Sequence, residues 1–256
     1  MTARAFGEVR AGCAVSRDST VIAYHSLGQG PGLVIVGGVL SQGSDYLPLA
    51  RALAAEYQVH LMERRGRPGS GPQREDHSMV HECDDLAAVA TATGSAAVFG
   101  HSFGGLVALE TARENAVFGD VFVYEPGVPI RGQMRLGWLD VYQRHLDRGD
   151  RRGAFACMVR SAGFAPAPVR VMPLWYVRLV LRLAVRGRKW DAMDRLLEAN
   201  LTEHRVLAVL DAPDPGRFSA ITARTVLLGS DKSPDAISGA LLAELASVIP
   251  RGRRSP

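Results

Sequence analysis

Ala96–Phe99 is an apolar run of strand length that leads directly into Gly100-His101-Ser102-Phe103-Gly104-Gly105, after which Leu106 begins a helical pattern. A strand that passes into a helix through so short a turn constrains the fold. Parallel strands need a crossover connection, and a helix is the usual one. Glycines on both sides of Ser102 let strand and helix approach to a distance that a β-carbon would block. The turn leaves the serine at the carboxyl end of its strand, where open α/β sheets bind ligands. The Phe103 N–H lies at the start of the following helix, where negative charge is stabilised.

The flanking sequence repeats the alternation. Gly12–Ser16 and Thr20–His25 predict a hairpin turned at Arg17-Asp18-Ser19. Leu33–Val36 predicts a strand buried on both faces and ended by Gly37-Gly38. Ser44 predicts an N-cap for a helix to about Glu56, with Pro48 in the first turn. Gln58–Met62 and Asp120–Tyr124 predict strands. Helices are expected over Ser78–Thr93, with Val80, Cys83, Leu86, Ala87 and Ala90 on one face, and over Phe103–Asn115. Such alternation predicts the α/β class with a mostly parallel, doubly wound sheet. Residues 127–217 break it with four expected helices, Met134–Asp147, Arg151–Ser161, Leu174–Val185 and Trp190–Val209, and no strand. They read as a helical insertion between a first core segment, 1–126, and a second, 218–256. The second segment predicts a strand at Thr225–Leu228 and a helix over Pro234–Val248.

Composition narrows the functional classes. No run approaches the roughly 20 apolar residues of a membrane-spanning helix. The first ten residues carry acid and base with no apolar signal segment, so a cytoplasmic location is expected. Cys13, Cys83 and Cys157 are far apart and read as three buried thiols, with no metal-ligand spacing. The net charge is +4, but only Lys189 and Lys232 among the thirty cations are lysine, and no basic block is interleaved with aromatics. A nucleic-acid partner is therefore not expected.

Gly100–Gly104 fits G-x-S-x-G, and with this context the chain resembles the α/β-hydrolase fold family over nearly its whole length. Glu63-Arg64-Arg65-Gly66-Arg67-Pro68-Gly69-Ser70 is similar to the family's D-x-R-G-x-G-x-S loop, with glutamate for aspartate and an intruding proline. Tyr124-Glu125-Pro126 resembles a segment of small actinobacterial-type serine hydrolases. The resemblance implies an esterase-type serine hydrolase without cofactor or metal, acting on a small, hydrophobic acyl substrate under a helical cap. Ser102 would be the nucleophile. The Phe103 N–H and, by position after the third strand, the Val39 N–H (or that of Leu40) would form the oxyanion hole. Gly37 stands where the family has a histidine. Glu125 and Asp231 are both candidates for the acid.

The resemblance also implies a histidine after the last strand. All seven histidines, at 25, 60, 77, 81, 101, 145 and 204, precede Asp231, and the tail after Ile249-Pro250 turns arginine-rich. The expectation is a chain without the last strand, histidine loop and final helix. The alternative to an esterase is then a catalytically inactive or truncated relative that binds a small apolar ligand, and in either case the edge of the final strand is expected to be uncovered. His145 and His204, in the insertion, are the substitutes to examine. The stretch Pro173–Arg188 sets apolar residues beside Arg178, Arg182 and Arg186. A basic amphipathic helix can lie on a membrane, but a lid helix with a solvated face is the expected reading, and membrane contact is not expected.

Overall fold

The computed structural model describes residues 8–129, 136–162, 167–210, 214–230 and 239–255. The strands are β1 (Arg10–Val15), β2 (Val21–Leu27), β3 (Gly32–Val36), β4 (Gln58–Met62), β5 (Ala97–His101), β6 (Asp120–Tyr124), β7 (Arg224–Leu228) and β8 (Gly252–Ser255). They form one sheet in the order β1-β2-β4-β3-β5-β6-β7-β8, parallel from β4 onward. The hairpin β1–β2 is antiparallel, and the Asp18 carboxylate in its turn accepts the Thr20 N–H at 3.0 Å. The four apolar side chains Leu33–Val36 of β3 are all buried, which explains a continuous rather than alternating apolar run. The chain leaves β3 for β4 on one side and returns to β5 on the other. The carboxyl ends of β3 and β5 thus flank the point where strand order reverses, the usual ligand crevice of such sheets.

The core helices are α1 (Leu47–Leu53), α2 (Met79–Thr93) and α3 (Phe103–Glu114). Ser78, expected as the first residue of α2, is its N-cap, and Ser44, expected as the N-cap of α1, lies inside a 3-10 turn, Gly43–Tyr46, that precedes α1. The expected apolar face of α2 is rotated. Val80 is exposed, whereas Glu82 and Asp85 are buried. Periodicity counted only apolar residues, and these two carboxylates are buried because Arg64 and Arg65 neutralise them at 2.9 Å and 2.5 Å. Cys13, expected to be buried, is exposed on the outermost strand of the sheet, while Cys83 and Cys157 are buried.

The expected absence of a last strand is corrected by β8, which pairs in parallel with β7 from Thr225↔Gly252 to Leu228↔Ser255. The expected bare edge of β7 is therefore covered. Gly-Arg-Arg-Ser has no apolar alternation to reveal it. Short edge strands with charged side chains are a common way to blunt a sheet edge.

The chain divides into two compact units, Met1–Val128 with Pro215–Pro256, and Pro129–Asp214. The second is helical in its described residues: α4 (Leu139–Asp147), α5 (Arg151–Ser161), α6 (Ala167–Val171), α7 (Leu174–Ala184), α8 (Arg188–Asp194) and α9 (Leu197–Val209). The single helix expected over 190–209 is broken at Arg195–Leu196 into α8 and α9. The centre of this unit is aromatic. Trp138 meets Tyr142 and His204 edge to face, and the Tyr142 hydroxyl donates to Leu197 O at 3.0 Å. In the core unit, α10 (Gly239–Val248) precedes β8.

Candidate active site

Ser102 links β5 to α3 with φ +52° and ψ −119°, a conformation that non-glycine residues rarely adopt. Among the described residues four non-glycine residues have positive φ, and three of them, Leu40, Ser102 and Glu125, follow the carboxyl ends of β3, β5 and β6. Backbone strain concentrated at one edge of a sheet marks a functional site. The strain at Ser102 is held by backbone bonds on both sides. Ser102 N–H donates to Tyr124 O at 3.0 Å, and Ser102 O accepts from Gly127 N–H at 2.8 Å and Gly105 N–H at 2.9 Å.

The glycines of the turn are required by space. A β-carbon on Gly100 would lie 2.7 Å from Gly105 Cα, and one on Gly104 would lie 2.6 Å from Gly37 O and closer still to Val36 O. A β-carbon on Gly38 would lie 3.1 Å from Ser102 Cβ and 3.6 Å from its Oγ. The Gly37-Gly38 turn after β3 therefore faces the serine side chain. Ser102 is the N-cap of α3, yet its hydroxyl makes no capping bond. Among the described residues no hydrogen bond reaches Ser102 Oγ.

Two side chains outside the sequence reading fix the Gly37-Gly38 turn. The Tyr46 hydroxyl accepts the Gly38 N–H at 3.0 Å and lies 2.8 Å from His101 Nδ1. Burial lowers the His101 imidazole below its ordinary value, with Glu125 opposing. The second is Arg64, 2% exposed. Its Nε donates to Gly37 O at 3.1 Å and its Nη2 to Gly38 O at 2.8 Å, and its guanidinium stacks 4.8 Å over the Phe103 ring. Its Nη1 donates to Glu82, which His77 also contacts at 3.2 Å. Burial raises the Glu82 carboxyl, but the Arg64 charge and the His77 hydrogen bond outweigh it and bring it down to about 2. Arg64 thus ties the turn after β3 to the first residue of α3. With Gly38 N–H occupied by Tyr46, the Val39 and Phe103 N–H groups donate to no partner among the described residues.

Of the two candidate acids, Glu125 is half-buried just beyond β6, and its Oε1 accepts the Ser230 N–H at 3.3 Å. Ser230 directly precedes Asp231, which lies outside the described residues. The histidines have other partners. His145 Nδ1 is 3.0 Å from Asp150, and buried His204 places Nδ1 2.8 Å from Asn200 O within its own helix. His60 meets Ser26, His77 meets Glu82, and His81 meets Ser78.

A mostly parallel sheet with a strained serine turn at its carboxyl edge is the scaffold of a hydrolase class. The sequence pattern of the Alpha/beta hydrolase family matches residues 15–253, and the chain belongs to that family. It is 35% identical over 121 residues to a pimeloyl-[acyl-carrier protein] methyl ester esterase of Xanthomonas oryzae pv. oryzae, a match covering 47% of this chain and 46% of that one. The chain thus spans about half the length of the curated relatives it matches. An alpha/beta hydrolase structure from Sphaerobacter thermophilus superposes with TM-score 0.81 at 27% identity, over 95% of this chain and 91% of that one. An esterase from Rhodococcus sp. shares the fold, with TM-score 0.61 at 21% identity over 97% and 90%.

Proposed function

We propose that the chain is an esterase-type serine hydrolase in which Ser102 Oγ attacks the carbonyl carbon of a small, hydrophobic acyl ester. The observation that carries this reading is the strained Ser102, whose hydroxyl is withheld from the helix it caps and faces the Gly38 turn. Attack converts the carbonyl oxygen to an oxyanion. The unoccupied N–H groups of Val39 and Phe103 are its donors, positioned by Tyr46 and Arg64. Two preorganised donors of this kind typically contribute a hundredfold or more each to turnover. Esterase relatives support the ester as substrate class.

Glu125 or Asp231 is the orienting acid, and among the described residues no histidine is hydrogen-bonded to Ser102 Oγ. A serine hydroxyl without a base stays protonated at neutral pH and is a poor nucleophile. The 256-residue polypeptide is therefore a weak catalyst whose reaction responds to an added base. No helix among the described residues is long and apolar enough to cross a membrane. The test is hydrolysis of p-nitrophenyl esters of increasing chain length, with and without imidazole, by wild type and Ser102→Ala. Imidazole-stimulated turnover above that of Ser102→Ala is expected. Equal rates for the two proteins at every imidazole concentration overturn the assignment.

A further inference from the structure

The helical unit carries a surface that ester hydrolysis does not use. Residues 151–190 contain nine cations (eight arginines and Lys189) and not one acid, whereas the rest of the chain has 21 cations against 26 acids. Charge segregated this strongly points to an anionic partner rather than to solubility alone. At the middle of the stretch, α7 protrudes: eight of its eleven residues are exposed and only Val177 is buried. Six of the eight exposed residues are not charged: Trp175, Tyr176, Leu179, Val180, Leu183 and Ala184. Trp175, Leu179 and Leu183 recur every fourth residue and are 68%, 48% and 57% exposed. Spacing of four places them along one stripe of the helix surface. Arg178 and Arg182 run alongside at the same spacing, Arg186 follows just beyond the helix, and among the described residues only Arg178 of the three has an acidic partner, Asp150 at 2.9 Å.

We propose that α7 is a docking helix for an anionic lipid surface, its apolar stripe entering the acyl region and its arginines meeting the headgroup phosphates. The chemistry favours lipid over an acidic protein. An exposed helix face of Trp, Leu and Val enters a fluid acyl layer without needing a matching partner surface, and the arginines beside it meet phosphates. Trp175, edge to face with Tyr176 at 5.7 Å, is the side-chain type that settles at the boundary between headgroups and acyl chains. The sequence alone favoured a solvated outer face because the pattern does not say which apolar residues pack inward. Here Leu174, Val177, Leu181 and Val185 turn inward and leave a second apolar stripe uncovered.

The test is flotation of the 256-residue protein with vesicles of phosphatidylcholine alone and of phosphatidylcholine mixed with phosphatidylglycerol. Two variants alter exposed side chains only, so the fold is retained: Trp175→Ser with Leu179→Ser, and Arg182→Gln with Arg186→Gln. The wild type is expected to float with the anionic vesicles at low ionic strength and to be released by salt. Each arginine near an anionic surface contributes about fivefold to partitioning, so the double arginine variant is expected to lose roughly thirtyfold. The Trp175/Leu179 variant is expected to lose binding that salt cannot restore. Absence of the wild type from anionic vesicles, or undiminished uptake of both variants, overturns the proposal. Binding to an acidic protein without vesicle uptake assigns this helix face to a protein partner and overturns it equally.

Discussion

Gly104→Ala tests how tightly the serine turn is packed against the end of β3. The new β-carbon would stand 2.6 Å from Gly37 O and closer to Val36 O, where real β-carbons stay beyond about 3 Å. Neither oxygen can move cheaply. Val36 belongs to a strand paired on both sides, and Arg64 holds Gly37 O. Relief requires α3 to shift by several tenths of an ångström, carrying Phe103 and Ser102 with it. Overpacking against mobile side chains costs about 1–3 kcal/mol, and rigid backbone puts this case near the upper end, about 3 kcal/mol. For a chain of this size that lowers Tm by roughly 6–12 °C. Thermal unfolding followed by circular dichroism measures it, with Gly137→Ala as the control because a β-carbon there meets nothing within 4 Å. A Tm for Gly104→Ala equal to that of the control would refute the packing argument.

Arg64→Met is expected to destabilise by about 3–5 kcal/mol, since it leaves Glu82 buried with only His77, and Arg64→Met with Glu82→Leu is expected to recover much of that loss in urea titrations. The Glu82 carboxyl falls from an ordinary value of 4.5 to about 2 in the fold, so its stabilisation is present above pH 4.5 and is lost as pH falls toward 2; stability measured over that range should decline less steeply in Glu82→Gln. Tyr46→Phe frees the Gly38 N–H and is expected to reduce any Ser102-dependent ester turnover through kcat rather than KM, with little change in Tm. Removal of residues 252–256 uncovers β7 and is expected to give concentration-dependent self-association in sedimentation, absent from the 256-residue chain.

The sheet was legible in the sequence because its strands announce themselves. Gln58–Met62 and Asp120–Tyr124 have the expected bounds, and the serine turn lies where its glycines place it. The strand β8 was not legible, because an edge strand of Gly-Arg-Arg-Ser has neither apolar alternation nor β-branched residues. The same limit hid Glu82 and Asp85. A carboxylate on a helix reads as a solvent face until the arginine that neutralises it, some twenty residues away in sequence, is placed beside it. Arg64 and Tyr46 were illegible as site residues for a related reason. Their role depends on long-range contacts to Gly37, Gly38 and His101 that no local spacing encodes. One signal was available: three arginines within Arg64–Arg67 is an unusual density of charge for a loop between a buried strand and a buried helix.

The most direct test of the account is the site of covalent capture. The 256-residue protein is incubated with a fluorophosphonate in the presence of imidazole, digested and mapped by mass spectrometry. Ser102 Oγ bonds to phosphorus, fluoride leaves, and the imidazole takes the proton. The account predicts a phosphonylated peptide carrying Ser102, formed faster as imidazole rises and missing from Ser102→Ala. An adduct confined to another residue, one that persists in Ser102→Ala, or no adduct at Ser102 at saturating imidazole would contradict it.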